Sequence, residues 1–358
     1  MSDGTWLIYG ANGYTGKLVA EEAVRRGHRP LLAGRSAEKI KPVAGRTGLD
    51  YVVADLYNHD GLKKALSGIN LIFNAAGPFI HTSTQLIEAC LEYGINYTDI
   101  TGEIPVFQNT FSFDNRAKKQ GIVLMSGIGF DVIPTDCLAR YVADRVPGAV
   151  ELELAFTGLS HISPGTMKTM VEMIPGGGLV RRNGKLVPYP LGRGAKQILF
   201  PGGTRTAIPI LWGDLETAYH STGIPNITTL MSYPPAMIPF LPAGIAVLKT
   251  AFASAAIRRM VQTFIGMAVK GPDEHARETG RSYIWARAAD AQGNEKQAWL
   301  DIPETYQFTA VAGVLAVEKI LSLHPTGALT PSMAFGADFV LGVDGVRRYD
   351  TPGSFPGR

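Results

Sequence analysis

The heptapeptide GANGYTG at residues 10–16 constrains this chain more than any other stretch. It directly follows a short apolar run, Trp6 to Tyr9, and directly precedes Leu18, Val19, Ala23 and Val24, which fall on one face of a helix. Each glycine has its own task. Gly10 lets the chain turn tightly, Gly13 lets the backbone approach a diphosphate, and Gly16 lets the helix pack close to the strand. The diphosphate then meets a helix N-terminus, where unbonded N–H groups and the positive end of the helix dipole favour an anion. Gly10, Asn12, Gly13, Tyr14, Thr15 and Gly16 are therefore the first candidate cofactor ligands.

The strand-then-helix rhythm continues to about residue 125. Candidate strands begin at Trp6, Pro30, Tyr51, Asn70, Asn96 and Ile122, and Gly27, Gly94 and Gly121 stop the helices between them. Six strands with helical crossovers predict an α/β fold, a doubly wound parallel Rossmann sheet, over residues 1–135. After Val150 the texture changes. Residues 151–156 and 227–233 read as strands, Asn183-Gly184 as a tight hairpin and 236–269 as helical, which predicts a second, α+β domain over 136–304 that shapes the substrate site. An apolar helix at 305–323 opens a C-terminal segment, 305–358, with the option of folding back onto the Rossmann sheet. A chain of 358 residues exceeds what one core usually serves, so more than one domain is the expectation.

AGRS at residues 33–36 closes the second strand, where an NAD-binding turn would carry an acidic residue for the ribose 2′-hydroxyl. Here Arg35 can pair with a 2′-phosphate and Ser36 can add a hydroxyl, so NADP(H) is the expected cofactor. The competing reading leaves Arg35 in solvent and makes Ser36 a helix N-cap. Asp55, at the end of the third strand, can accept from an adenine amino group or cap a helix. NAAGPF at 74–79 ends the fourth strand and sets Ala76, Gly77, Pro78 and Phe79 beside the nicotinamide, against the plainer reading of a strand-to-helix turn. TGE at 101–103 and GFDVIPTD at 129–136 fall at the carboxyl ends of the fifth and sixth strands. Glu103 and Asp131 are the candidate catalytic residues, with Asp99 and Asp136 as further carboxylates that can anchor substrate or cap helices.

Other patterns narrow the function by what they exclude. The chain carries 34 Lys+Arg against 31 Asp+Glu, a net +3 too small to predict a nucleic-acid partner. Its two cysteines, Cys90 and Cys137, give neither a disulfide framework nor a zinc pattern, the histidines are scattered, with His81 and His161 in loops, and no metal is expected. There is no Tyr-x-x-x-Lys pair and no G-x-S-x-G elbow. The first residues lack the pattern of a signal peptide, so a cytoplasmic location is expected. The most apolar stretch, 234–247, contains Pro234, Pro235, Pro239 and Pro242 and falls short of the roughly 20 residues a spanning helix needs. It is expected as a buried or interface helix, with peripheral membrane contact or the wall of an apolar pocket as alternatives.

Taken in order, GANGYTG, AGRS, NAAGPF, the segment YTDITGE ending at Glu103 and GFDVIPTD resemble the saccharopine dehydrogenase-like family over residues 5 to 140. GALTPSMAFG at 327–336 resembles the terminal segment of the branch that includes trans-acting enoyl reductases. The resemblance implies an NADP-binding Rossmann domain and hydride transfer at its C-terminal crevice, to amino-acid-derived imines in one branch and lipid-linked enoyl groups in the other. GFDVIPTD stands where the amino-acid branch would carry a GxDPG-like turn. That departure argues against an amino-acid substrate, and the apolar run at 238–251 makes a hydrophobic, enoyl or lipid-linked small molecule the expected one. An imine dehydrogenase and a non-catalytic NADP-binding regulator are the alternatives, and a homodimer is open to either.

Overall fold

The expected βα rhythm is realised in the computed structural model, which describes residues 5–157, 162–190 and 193–355. Its elements are β1 (Trp6–Tyr9), α1 (Tyr14–Arg25), β2 (Leu31–Gly34), α2 (Ala37–Thr47), β3 (Tyr51–Val53), α3 (His59–Ala65), β4 (Leu71–Asn74), α4 (Ser83–Tyr93), β5 (Asn96–Asp99), α5 (Ile104–Ser112), α6 (Asp114–Gln120) and β6 (Val123–Met125). β1 and β4 are buried along their whole length, as strands covered on both faces of a parallel sheet must be. Gly94 and Gly121 end α4 and α6 with φ of 71° and 69°, a left-handed cap that suits a residue without Cβ.

All pairs in this sheet are parallel, in the order β3-β2-β1-β4-β5-β6. A seventh strand, Gly327–Ala328, pairs with β6 and carries no signal in the local sequence. The chain leaves β1 toward β2 on one side and returns through β4 on the other, so the order reverses between β1 and β4. Such a reversal opens a crevice at the carboxyl ends of the strands, where doubly wound sheets bind ligands. Tyr9 pairs with both Ala33 and Asn74, which aligns the GANGYTG, AGRS and NAAGPF turns at one end of the sheet.

The chain divides into two compact units. The first joins the residues up to Asp131 to Tyr306–Ala334. The helix Thr305–Leu323 is long and apolar enough to cross a membrane, but it is mostly buried and serves as a core helix. Phe308, Ala312, Ala316, Val317 and Ile320 are fully buried. Gly313 lets this helix approach β4, since a Cβ there would lie 2.9 Å from the Phe73 ring. Arg26 and His28 bind Glu318 at 2.5 and 2.8 Å. The segment 305–358 therefore does not form one piece, because 335–358 belong to the second unit.

That second unit holds a mixed nine-stranded sheet, the expected α+β texture. Glu151–Phe156 runs at its centre, parallel to Asn226–Ser232 and antiparallel to Arg281–Ala289. Asn183 and Gly184, with φ of 48° and 75°, make the tight turn between Leu179–Arg182 and Lys185–Pro188. The apolar stretch corrects a sequence expectation. Pro235–Phe240 and Leu241–Phe252 run on as 18 helical residues, of which only Phe252 is buried, so the stretch is not the buried helix of the first expectation, which leaves the interface, lipid and pocket-wall alternatives. The prolines that argued for a shorter element are accommodated in its opening 3-10 turns and at the first positions of the following helix, where a missing N–H costs no hydrogen bond.

Candidate functional site

Backbone crowding explains the glycines of the first turn. Gly10 has φ of 82°, and a Cβ there would lie 2.8 Å from Ala76. A Cβ on Gly16 would lie 2.4 Å from the Gly10 carbonyl oxygen, and one on Gly13 would lie 3.2 Å from that same oxygen. Gly13 occupies the N-cap of α1 and contributes no side chain to accept from the first-turn amides. A helix end of this kind, backed by glycines and pointing into the crevice of a doubly wound sheet, fits a diphosphate. Tyr14 packs edge-on against Tyr306, with ring centroids 5.0 Å apart, and Asn12 reaches Gly34 closely enough that its Oδ1 would lie 3.2 Å from a Cβ there.

At the neighbouring strand end, Arg35 is exposed and Ser36 sits at the N-cap of α2 without making a side-chain capping bond. Its hydroxyl is thus not committed to the helix. Asp55 does not cap α3, because Asn58 does so by accepting the Gly61 N–H at 3.1 Å. Instead Asp55 accepts the Tyr57 N–H at 3.1 Å. Tyr9 donates to the Ala54 carbonyl at 3.1 Å beneath this rim. Burial pushes its hydroxyl up to about 12, against the opposing pull of the Arg35 charge.

The fourth-strand turn is held by a polar network that sequence reasoning did not foresee. Asn74 donates to Tyr97 at 3.1 Å and to Thr82 at 3.2 Å, and accepts the Ala76 N–H at 3.0 Å. Thr82 donates to the Ala76 carbonyl at 2.8 Å. These bonds fix Ala76 and lead into Gly77, Pro78 and Phe79. Buried polar residues at the ends of otherwise apolar strands were the available signal, and they read in sequence as isolated candidates.

The four carboxylates fare differently. Asp99 is fully buried and accepts from Tyr97 and Ser126 hydroxyls and from the Thr101 and Gly127 N–H groups, all at 2.9 to 3.0 Å. Burial raises its carboxyl, and those four bonds oppose the rise, so the group pins the β5 and β6 loops together. Glu103 accepts the Phe79 N–H at 2.8 Å through Oε1 and the Ile80 N–H at 2.9 Å through Oε2, clamping the NAAGPF turn. Asp136 lies in the first turn of the helix Ile133–Ala143, in the second unit. Asp131 is the exception. Its Oδ1 is buried without a hydrogen-bond partner among the described residues, and its Oδ2 would lie 2.8 Å from a Cβ on Gly102. Burial alone pushes this carboxyl up to about 7.

Thr309, far away in sequence, positions the loop before Asp131 by accepting the Phe130 N–H at 3.0 Å. His81 is exposed, and His161 lies outside the described residues. Within the second unit, a cavity of about 800 Å³ is walled by Met170, Trp212, Met231, Tyr233, Pro235 and Met237 among others.

An NAD(P)H-binding family model matches residues 10–136. A lipid droplet localized protein from Caenorhabditis elegans is 28% identical over 61% of this chain and 55% of its own. A saccharopine dehydrogenase-like oxidoreductase from Bos taurus is 26% identical over 46% of this chain and 44% of its own, and a trans-acting enoyl reductase from Mycobacterium bovis is 29% identical over 46% and 43%. The chain spans about half the length of these relatives. Among solved structures, the saccharopine dehydrogenase of Saccharomyces cerevisiae has the same fold, with a TM-score of 0.62 over 95% of this chain and 96% of that one at 12% identity. With its Rossmann unit, its ordered turn motifs and these relatives, the chain carries an NAD(P)H-binding domain over residues 10–136 and is similar to saccharopine dehydrogenase-like and trans-acting enoyl reductase proteins.

Proposed function

We propose that this protein is an NADP(H)-dependent oxidoreductase that transfers hydride to a hydrophobic, enoyl or lipid-linked substrate. The observation that carries the reading is the glycine-backed N-terminus of α1 at the point where the strand order reverses, a cradle that a single Cβ would fill. Gly10, Asn12, Gly13, Tyr14, Thr15 and Gly16 would hold the diphosphate. Arg35 and Ser36 would read the 2′-phosphate, Asp55 the adenine, and Ala76, Gly77, Pro78 and Phe79 would hold the nicotinamide end. When bound, the cofactor supplies the hydride.

The residues of this chain supply orientation and the proton. Glu103 keeps Phe79 and Ile80 in place through their amides, so its role is to position the loop. Asp131 holds a proton on its carboxyl near neutral pH and can give it to the carbon or nitrogen next to the one that takes hydride, becoming a carboxylate that solvent reprotonates. The relatives named for lipid droplets and for enoyl reduction support a lipid-linked substrate over an amino-acid-derived imine. The buried state of both cysteines suits a reducing, cytoplasmic setting.

Two measurements test the reading. Titrating NADPH and NADH into wild type and Arg35→Ala should show NADPH affinity falling about 10- to 100-fold with NADH little changed, the size of one charge-assisted phosphate contact. Equal losses for both cofactors would remove Arg35 from that role. NADPH oxidation followed with a medium-chain enoyl thioester and, separately, with a lysine-derived imine should favour the thioester. Turnover of the imine alone would transfer the chain to the amino-acid branch.

A further inference from the structure

An exposed apolar surface in the second unit lies on two successive helices that the reductase reading does not use. After the 18 helical residues Pro235–Phe252, a two-residue break leads into a second helix, Ala255–Ala268. The second helix has two unlike faces. One packs inward, with Val261, Ile265 and Val269 gathered with Phe252 on Met167 and Val171 of the helix Pro164–Met173. Arg258 and Gln262 on that side bind Glu172 at 3.0 and 2.7 Å.

The opposite face repeats Ile257, Met260, Phe264 and Met267 at helical spacing, and all four are exposed. On the preceding helical stretch, Phe240 and Val247 are exposed as well. Five of these side chains, Phe240, Val247, Met260, Phe264 and Met267, are 64% to 75% exposed. Isolated exposed apolar residues need no explanation, but a second, solvent-facing apolar stripe on a helix already packed by its first does.

Charge indicates what covers the patch. Residues 234–271 contain no Asp or Glu, and besides Arg258, which is paired with Glu172, they carry Lys249, Arg259 and Lys270, although the whole chain is nearly balanced. A second copy would set these cations against their own counterparts. An anionic lipid surface attracts them, and long basic side chains beside a helix can reach headgroups while the apolar stripe enters the acyl boundary. We propose that the helix pair Pro235–Phe252 and Ala255–Ala268 is a docking surface for an anionic phospholipid membrane, lying in its plane.

A crossing hairpin is the less favourable arrangement. It would strip Val261 and Ile265 from their packing and carry Arg258, Arg259 and Gln262 into hydrocarbon, where charges are expensive. Docking also gives the nearby cavity a setting. Pro234, Pro235 and Met237, at the root of the first helix, form part of its wall, so docking brings this wall up to the lipid. Docking does not depend on the cofactor assignment, and NADPH binding is therefore an independent control.

The test is flotation of the full chain with phosphatidylcholine vesicles, with and without about one-third phosphatidylglycerol. Wild type should rise with the anionic vesicles and be released by salt. A triple variant, Met260→Ser, Phe264→Ser and Met267→Ser, and a charge variant, Arg259→Glu with Lys270→Glu, should each lose at least about tenfold in partitioning while NADPH affinity and unfolding temperature stay at wild-type values. Wild type remaining at the bottom of the gradient would overturn the proposal. So would flotation of both variants like wild type, or a dimer in light scattering that the triple variant dissolves without any lipid binding by wild type.

Discussion

Asp131→Asn isolates the least ordinary group in the first unit. A carboxyl with an ordinary value of 3.8 that keeps its proton up to about 7 pays about 4 kcal/mol to ionise in the fold, relative to the unfolded chain. Below pH 4 both states are protonated and no penalty exists. Between pH 4 and 7 the unfolded chain ionises while Asp131 in the fold does not, so stability falls as pH rises, and above 7 the full penalty applies. The asparagine variant removes the proton and the penalty together, and its amide fits the same space. We expect wild type to lose stability between pH 5 and 8 by up to about 3 kcal/mol more than the variant does, read as unfolding temperature against pH. A carbon-13 aspartate titration should show one carboxyl with a midpoint near 7 that the variant lacks. In the reductase assay, the variant should lose about 100- to 10,000-fold in kcat and the fall in rate on the alkaline side of neutrality. Parallel stability profiles, or a spectrum without any carboxyl titrating near neutrality, would refute the argument that burial alone sets this group.

Three further outcomes follow from the same geometry. Gly10→Ala should cost about 1 to 3 kcal/mol through its positive φ and the approach of Ala76, and should abolish measurable NADPH binding by calorimetry. Glu318→Gln should destabilise the first unit by about 1 to 3 kcal/mol in denaturant unfolding, because it breaks a two-point pairing with Arg26 and the bond to His28. Burial alone would raise the Glu318 carboxyl, but those bonds hold it below its ordinary value, so its stabilisation is full above the usual carboxylate range and drains away as pH falls through the lowered value. Cys90 and Cys137, both buried and pushed up mainly by burial, should resist alkylation at pH 8 in the folded chain and react at ordinary thiol rates once it unfolds.

What was legible in the sequence is what short-range physics determines. Gly10, Gly13 and Gly16 mark their turn because each lacks a Cβ where a carbonyl or Ala76 would collide with one, and that collision depends on strand, turn and helix in immediate succession. The Asn183-Gly184 turn was legible for the same reason, since two adjacent positive φ values admit few residue pairs. The roles of the carboxylates were not. Asp99, Glu103 and Asp131 look alike in a string of letters. They differ because Asp99 meets four donors, Glu103 meets two amides of another loop, and Asp131 Oδ1 meets none among the described residues. Each of those encounters spans elements whose pairing the local pattern does not specify, as Thr309 illustrates by steadying Phe130 from a distant helix. The burial of the apolar stretch after Pro234 was not legible for a related reason. Hydrophobicity records how badly a segment wants to leave water, and a buried core and a lipid surface both satisfy it. Only the packed inner face of Ala255–Ala268 separates them, by using up Val261 and Ile265 and leaving Met260, Phe264 and Met267 still facing outward.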